Sequence, residues 1–426
     1  MTPAPRHFLL LQGPHGPFFR QLSRLLRKSG ARVSRVAFNA GDKAFSDAGA
    51  NLIEWQGSEQ EWADEIGALL VAEGVTDVVV YGETRPRHWT AIAAARLLGL
   101  RCHLLEEGYL RPYWVTYERD GTNASSPAAS LSISEMSRRQ TIGSYPAREP
   151  NDRWGDLTSH ILWGATYHAL LMLKRANFPA YVSHRDGGIP DEFRRYVRRL
   201  ASSPLRRVRR RLRTAKLLRS GQPFHIALLQ LAHDANFRDH GVFPDQTAFL
   251  RTVIRGFAEG APAHHALVIK THPLEDGRLP LARTLAEIAD DFGVRDRVLL
   301  IDGGKLARLL NAAKSAVTVN SSAGQQALWR GLPLRSFGRS VYDKPELVSD
   351  QALPAFFANP HSPDHEAYQV YRRFLLATSQ VEGGFYSQAG RRRLLRQLPD
   401  LMLADRNRYD SVQDDAEARP QHLSGV

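Results

Sequence analysis

The chain of 426 residues is 43% hydrophobic and 24% charged, an ordinary balance for a globular protein with room for two α/β domains. Its single cysteine, Cys102, excludes an internal disulfide and a cysteine-based metal cluster. The formal net charge is +13, yet residues 193–219 hold twelve Lys and Arg without one acid, so the rest of the chain is close to neutral and a uniformly basic surface is excluded.

In chain order, the run Phe8–Leu11 is too short for a signal-peptide core and reads as a strand. The turn Gln12 to Pro17 leads into a helix with an apolar stripe of Phe18, Leu22, Leu25 and Leu26, ended by Ser29-Gly30. Further strands are expected at Arg32–Phe38, Asp77–Tyr81 and Arg101–Leu105. The helix of Trp62, Ile66, Leu69 and Leu70 opens on Ser58 with Glu61 three residues on, a capping-box signature. Another runs from about His88 to Leu98 and stops at Gly99. This half reads as a doubly wound parallel sheet.

Residues 126–222 are turn-rich, then carry a mixed aromatic helix around Trp163–Met172 and the Arg-rich segment. No stretch reaches the ~20 apolar residues that span a bilayer, and Ile161–Leu173 is interrupted by Gly164, Thr166, Tyr167 and His168. A cytoplasmic location is the reading. After Pro223 the alternation returns, with strands at Phe224–Leu229, Ala266–Lys270, Val298–Ile301, Ala316–Val319 and Leu334–Phe337. Phe249, Val253 and Phe257 mark a helix behind an Asp245 cap. Beyond Asp343 the pattern is helical and mixed, with a polar tail from about Asp405. The expected cuts fall at 1–150, 151–222, 223–345 and 346–426.

Parallel α/β sheets bind ligands at the carboxyl ends of their strands, and the polar motifs fall there. Gly13 and His15 follow the first strand, where the glycines either let backbone approach a ligand or simply make a strand-to-helix turn. Gly82-Glu83-Thr84-Arg85 follows the third expected strand. Glu106-Glu107-Gly108 follows the fourth. Adjacent residues in extended chain point to opposite sides, so one carboxylate is expected to face the cleft for acid/base work while the other pairs with Arg85 or Arg111. Gln230 and Asp234 follow Phe224–Leu229, and Asp234 reads as a second active-site acid or as a turn cap. Lys270-Thr271-His272-Pro273 offers a cation, a hydroxyl and an imidazole suited to a phosphate. Asn320-Ser321-Ser322 precedes a helix, so its hydroxyls and the free N–H groups suit an anion or a purely structural cap. No Asp-x-Asp metal motif is present, and no metal is expected. Carboxylates in one half and a phosphate cradle in the other suit a nucleotide-sugar transferase with two Rossmann-like domains facing a cleft, a GT-B-like α/β fold with a helical linker and C-terminal helices.

Together, Gln12 to Phe19, Asn39-Ala40-Gly41-Asp42, Gly82 to Arg85, Glu106 to Pro112, Lys270 to Pro273 and Val319 to Ser322 resemble the capsule polysaccharide biosynthesis/export proteins of the KpsS/LipB type, which are β-Kdo glycosyltransferases. The likeness covers roughly residues 8–345. It implies a CMP-β-Kdo donor, a phosphatidylglycerol-based lipid acceptor at the inner face of the cell membrane, and other capsule assembly or export proteins as partners. It makes the first domain the acceptor domain, 151–222 the membrane-facing linker, and 223–345 the CMP-sugar domain. Glu107 takes the acid/base role, with Glu106 left open because many relatives read Glu-Asp-Gly. Lys270, His272, Ser321 and Ser322 take the CMP phosphate. A β donor giving a β product means retention, which needs a carboxylate nucleophile, and Asp234 is the candidate. The Arg-rich segment would meet the anionic membrane, at about 1 kcal/mol per cation.

Rival readings are a related glycosyltransferase or epimerase using another nucleotide sugar, a non-catalytic export component, and a nucleic-acid-binding protein. Against the last, the charge is confined to one stretch and no binding motif accompanies it, so nucleic acid is not an expected partner.

Overall fold

The structure is a computed structural model that describes residues 5–119, 121–139, 156–173, 177–181, 211–231, 241–272 and 280–410, with 194, 208 and 237 singly. The chain forms two compact units. One comprises Met1–Pro127, Arg138–Leu200 and Phe374–Val426, the other Ala128–Ser137 and Ala201–Arg373.

The first unit contains strands β1 (His7–Leu10), β2 (Arg32–Ala37), β3 (Asn51–Glu54), β4 (Asp77–Tyr81), β5 (Arg101–Glu107) and β6 (Trp114–Glu118). The second contains β7 (Phe224–Leu228), β8 (Ala266–Lys270), β9 (Val298–Ile301), β10 (Ala316–Thr318) and β11 (Leu334–Ser336), and β12 (Gln380–Glu382) returns to the first. The sheet orders are β12-β6-β5-β4-β1-β2-β3 and β11-β10-β7-β8-β9. β3 through β5 pair in parallel, as do all five strands of the second sheet. In each unit the first strand is central, and the chain winds to one side and then to the other. The two directions part between β1 and β4 and between β7 and β10, where open α/β sheets hold ligands.

The central parallel strands β1, β4, β7 and β8 are mostly apolar because both faces are covered. On one face of the first sheet Phe8, Leu10, Val79 and Leu105 meet Phe18, Leu22 and Leu26 of the helix Phe18–Lys28, together with Leu394 and Leu398. On the other, Leu9, Val36, Val78, Val80 and Leu104 meet Trp62, Ile66 and Leu70 of the helix Glu59–Ala72. Each such side chain contributes about 1.5–3 kcal/mol when fully buried. Both halves of the Ser58–Glu61 capping box form, and Asp245 caps Gln246–Gly260.

Several expectations need correction. The first sheet is not purely parallel, because β6 folds back antiparallel on β5 and β12 pairs antiparallel with β6. β5 therefore runs through Glu107 and does not stop at Leu105, since Glu106 and Glu107 lie opposite Thr116 and Val115. The expected cuts at 150, 222 and 345 followed the strand–helix alternation; by contact, residues 374–426 group with the first unit, whose sheet β12 extends. Of the Arg-rich segment, 194, 208 and 211–219 are described. Residues 211–219 are helical, with Thr214 and Leu217 buried and Arg211, Arg213, Lys216 and Arg219 exposed.

The aromatic helix Asp156–Leu173 is clasped to β1 by a buried polar network. The Tyr167 hydroxyl accepts from Gln12 Nε2 at 2.7 Å and Asn39 Nδ2 at 2.6 Å, and donates to Asp42 Oδ1 at 3.0 Å. Asn39 Oδ1 meanwhile caps the backbone N–H of Asp42 at 3.0 Å. Burial raises the Asp42 carboxyl, an effect that the nearby Arg35 opposes. A Cβ on Gly41 would lie 2.5 Å from the Tyr167 ring, so Asn39-Ala40-Gly41-Asp42 is shaped by this contact. Tyr167→Phe removes the hydroxyl at the centre of the network and should lower unfolding stability by about 1–3 kcal/mol, read as a lower urea midpoint with an unchanged slope. An unmoved midpoint would contradict this account of the clasp.

Candidate active site

In the first unit the polar residues lie at the exits of β1, β4 and β5. Arg85 Nη1 donates to Gln12 Oε1 at 3.0 Å, bridging the point where the winding reverses. His15 stacks on Tyr167 with ring centroids 4.4 Å apart. The loop glycines are explained by packing. A Cβ on Gly13 would lie 2.6 Å from the Phe19 ring, and one on Gly16, whose φ is +107°, would lie 2.9 Å from Trp163.

Glu106 and Glu107 take opposite faces of β5, following Leu104 and Leu105 into opposite core layers. Tyr81 Oη donates to Glu107 Oε1 at 3.1 Å and meets Tyr386 Oη at 3.0 Å. The Arg85 guanidinium lies over the Tyr81 ring, 5.3 Å from its centroid. Glu106 reaches over the exit of β4, where a Cβ on Gly82 would lie 3.7 Å from its Oε1. Arg111 Nε donates to the Gly108 carbonyl at 3.3 Å within the turn. Gly108 itself is demanded by the hairpin, because a Cβ there would fall 2.0 Å from the Trp114 carbonyl oxygen.

The second unit gathers a different set of groups. Gln230 leaves β7 and Asn320 leaves β10, and their amides bond reciprocally across the reversal point. Gln230 Nε2 donates to Asn320 Oδ1 at 2.8 Å, and the Asn320 N–H donates to Gln230 Oε1 at 3.2 Å. Lys270 ends β8 buried, its Nζ donating to the Thr271 carbonyl at 2.7 Å, while His272 is half-buried just beyond. Ser321 Oγ accepts from the Ala323 N–H at 3.2 Å. Ser322 stands at the N-cap of Ala323–Leu328 without a side-chain capping bond. That helix has six residues, so its dipole is small, and an anion there would have to be met by the serine hydroxyls as well as by backbone N–H groups. β10, β7 and β8 are neighbours, so Ser321 and His272 leave strands about 10 Å apart, a span a nucleotide phosphate and its sugar can fill. Asp234 and Pro273 lie outside the described residues. Among the described residues no three His, Cys, Asp or Glu side chains group as a metal site.

Sequence reasoning missed Tyr81, Tyr386 and Glu118. Glu118, at the end of β6, accepts from Tyr109 Oη at 2.7 Å, from Ser126 Oγ at 2.5 Å and from Tyr409. Burial outweighs these donors and pushes the carboxyl up to about 7. Tyr109 directly follows Glu106-Glu107-Gly108, which ties this network to the motif.

A family model described as capsule polysaccharide biosynthesis protein matches residues 76–386. Capsule polysaccharide modification protein LipB of Neisseria meningitidis serogroup A is 30% identical over 389 residues, 90% of this chain and 92% of that protein. Capsule polysaccharide export protein KpsS of Escherichia coli is 29% identical over 387 residues, 89% of this chain and 97% of that protein. Among solved structures, the beta Kdo 2,7 transferase of Thermosulfurimonas dismutans KpsC is similar with a TM-score of 0.45 and 12% identity, over 93% of this chain and 99% of that one.

Glu118 generates a pH prediction. Its pKa rises on folding from 4.5 to about 7, so the folded state binds the extra proton between those values. The associated stability is complete below pH 4.5 and is lost as pH rises through 7, a change on the order of 3 kcal/mol. Glu118→Gln, which stays neutral, should flatten that slope in urea unfolding from pH 4.5 to 7.5. Identical slopes in the two proteins would show that Glu118 titrates alike folded and unfolded.

Proposed function

Because the chain belongs to the capsule polysaccharide biosynthesis protein family, we propose that it is a glycosyltransferase moving Kdo from CMP-β-Kdo to a phosphatidylglycerol-based lipid primer, with retention of configuration. The observation that carries this reading is the convergence of Gln230, Lys270, His272, Asn320, Ser321 and Ser322 on the carboxyl ends of three adjacent strands around the second unit's reversal point. These are phosphate-type groups: a cation, an imidazole, hydroxyls and amide donors. Relatives named for capsule polysaccharide modification and export support the pathway.

In the proposed reaction Lys270 and His272 neutralise the CMP phosphate as it departs, and Ser321 and Ser322 hydrogen-bond it. A phosphate leaves without a general acid, so the carboxylate of the first unit serves the acceptor hydroxyl. Retention by two displacements requires a carboxylate that first attacks the anomeric carbon, the role assigned to Asp234. His272→Ala should weaken CMP binding and reduce Kdo transfer at least 100-fold in a protein that still folds, checked by calorimetric titration and by the mass of the lipid product. Glu107→Gln should slow turnover and accumulate a Kdo adduct on the intact protein, while Asp234→Asn should remove both. Normal CMP affinity and turnover in His272→Ala would overturn the phosphate assignment, and near-normal transfer in Asp234→Asn would overturn the nucleophile.

We place the protein at the cytoplasmic face of the membrane that carries its acceptor. No helix among the described residues is long and apolar enough to cross a membrane. The exposed Arg211, Arg213, Lys216 and Arg219 instead suit an anionic surface. Changing these four to Gln should lower binding to phosphatidylglycerol vesicles in a co-sedimentation assay, by a factor that shrinks as salt screens the charges. Equal binding before and after would reduce this helix to a solvated face.

A further inference from the structure

Resting on the reading of the exposed cations of residues 211–219 as a membrane face, we infer that this helix does more than meet lipid headgroups. It lies in the plane of an anionic bilayer, with Leu212 and Val208 inserted below the headgroups and its cations at the phosphates. Leu212 is 64% exposed and Val208 57%, and where they stand relative to the cations carries the inference. A helix turns about 100° per residue. With Leu212 as origin, Arg219 and Lys216 fall about 20° and 40° to either side of it. Arg211 and Arg213 fall about 100° away on opposite flanks. Val208 is likewise helical and exposed, and a spacing of four puts it on the face of Leu212. Thr214 and Leu217, which point the other way, are buried. The outward face thus carries aliphatic side chains bordered by cations. That pattern suits a helix in a membrane interface, where apolar side chains enter the acyl boundary and Lys and Arg stems reach back to the phosphates.

The inward face is seated on the exit of β9, within the same unit. A Cβ on Gly304, whose φ is +80°, would lie 2.3 Å from Thr214 Oγ1, so the loop passes close under the helix. Arg213 Nη1 lies 3.7 Å from Asp302 Oδ1, an ion pair whose side chains are both partly exposed. Ile301, the last residue of β9, accepts at 3.2 Å from the N–H of Thr271, the residue between Lys270 and His272. The helix is therefore fixed to the strand exit that adjoins the second unit's phosphate-type groups. Lying in the interface, it holds that edge of the unit at the level of the headgroups.

The charge of residues 211–219 is all positive, with four cations and no acid, so the occupant is anionic. A nucleic-acid backbone would take the cations and leave Leu212 and Val208 in water. An anionic lipid surface uses both sets of side chains.

The test is co-sedimentation of the intact protein with phosphatidylglycerol vesicles at low and high salt. Wild type is compared with the double variant Val208→Gln, Leu212→Gln and with the variant that changes the four cations to Gln. Loss of the aliphatic pair should lower binding about tenfold at both salt concentrations, because apolar burial is not screened. The deficit of the cation variant shrinks with salt. Insertion is read separately. Cys102 is buried, so Leu212→Cys offers one accessible thiol for the fluorophore NBD. Its emission should brighten and shift to the blue on phosphatidylglycerol vesicles and stay unchanged with neutral phosphatidylcholine vesicles. Equal binding of the aliphatic variant and wild type at both salt concentrations would overturn insertion, as would NBD emission that stays that of water on vesicles that carry the protein down. In either case, reduced binding of the cation variant would leave electrostatic docking standing. Full binding in both variants would remove the docking reading and this inference with it, as would wild-type protein that binds double-stranded DNA and not the vesicles.

Discussion

A side-chain bridge across the point where the winding reverses is the constraint on which each unit's polar end depends. Where the winding reverses a crevice opens, and the polar groups buried there, Gln12, Gln230 and Asn320, need partners or they carry a desolvation cost. Both units solve this with a glutamine two residues after the central strand. Gln12 receives Arg85 from the exit of β4, and Gln230 exchanges two hydrogen bonds with Asn320 from the exit of β10. The same topology and the same device then carry different chemistry. The first unit surrounds its bridge with carboxylates, phenols and imidazoles, and the second with an amine, an imidazole and hydroxyls.

Position follows from the elements that bear these groups. Glu106 and Glu107 lie within a paired strand, so the hairpin sets their orientation more firmly than a loop would. The glycine that follows them is dictated by the Trp114 carbonyl, and the tyrosine after it is anchored to the buried Glu118. On the other flank, the returning C-terminal segment supplies β12 to the sheet and Tyr386 to Glu107's phenol pair. The clasp of Tyr167 on Gln12, Asn39 and Asp42 joins the central strand's exit to the helix Asp156–Leu173.

Much of this was legible in the chain itself. β4 and β8 match their expected bounds, since buried parallel strands are continuous apolar runs closed by polar motifs, and the apolar run of β9 marks its bounds too although it is a half-buried edge strand. The Ser58 and Asp245 caps are local rules that the fold obeys. β6, with Trp114, Val115, Thr116 and Tyr117, carried a β-branched and aromatic signal that went unread. The three residues of β12 carried none, because only pairing with β6 makes them a strand. The motif residues of the second unit were visible as polar groups ending apolar strands. Tyr81, Tyr167 and Tyr386 were not, since a tyrosine in an apolar pattern reads as core until its hydroxyl has a partner from another element.

The account stands or falls on where the nucleotide sits. Amide hydrogen exchange of the intact protein, with and without saturating CMP, reads that directly. The account predicts slowed exchange at the exits of β7, β8 and β10, around Gln230, Thr271 to His272 and Asn320 to Ala323, with the exit of β1 around Gly13 to Gly16 unchanged. Slowed exchange at Gly13 to Gly16 with none at Gln230, His272 and Asn320 would contradict it.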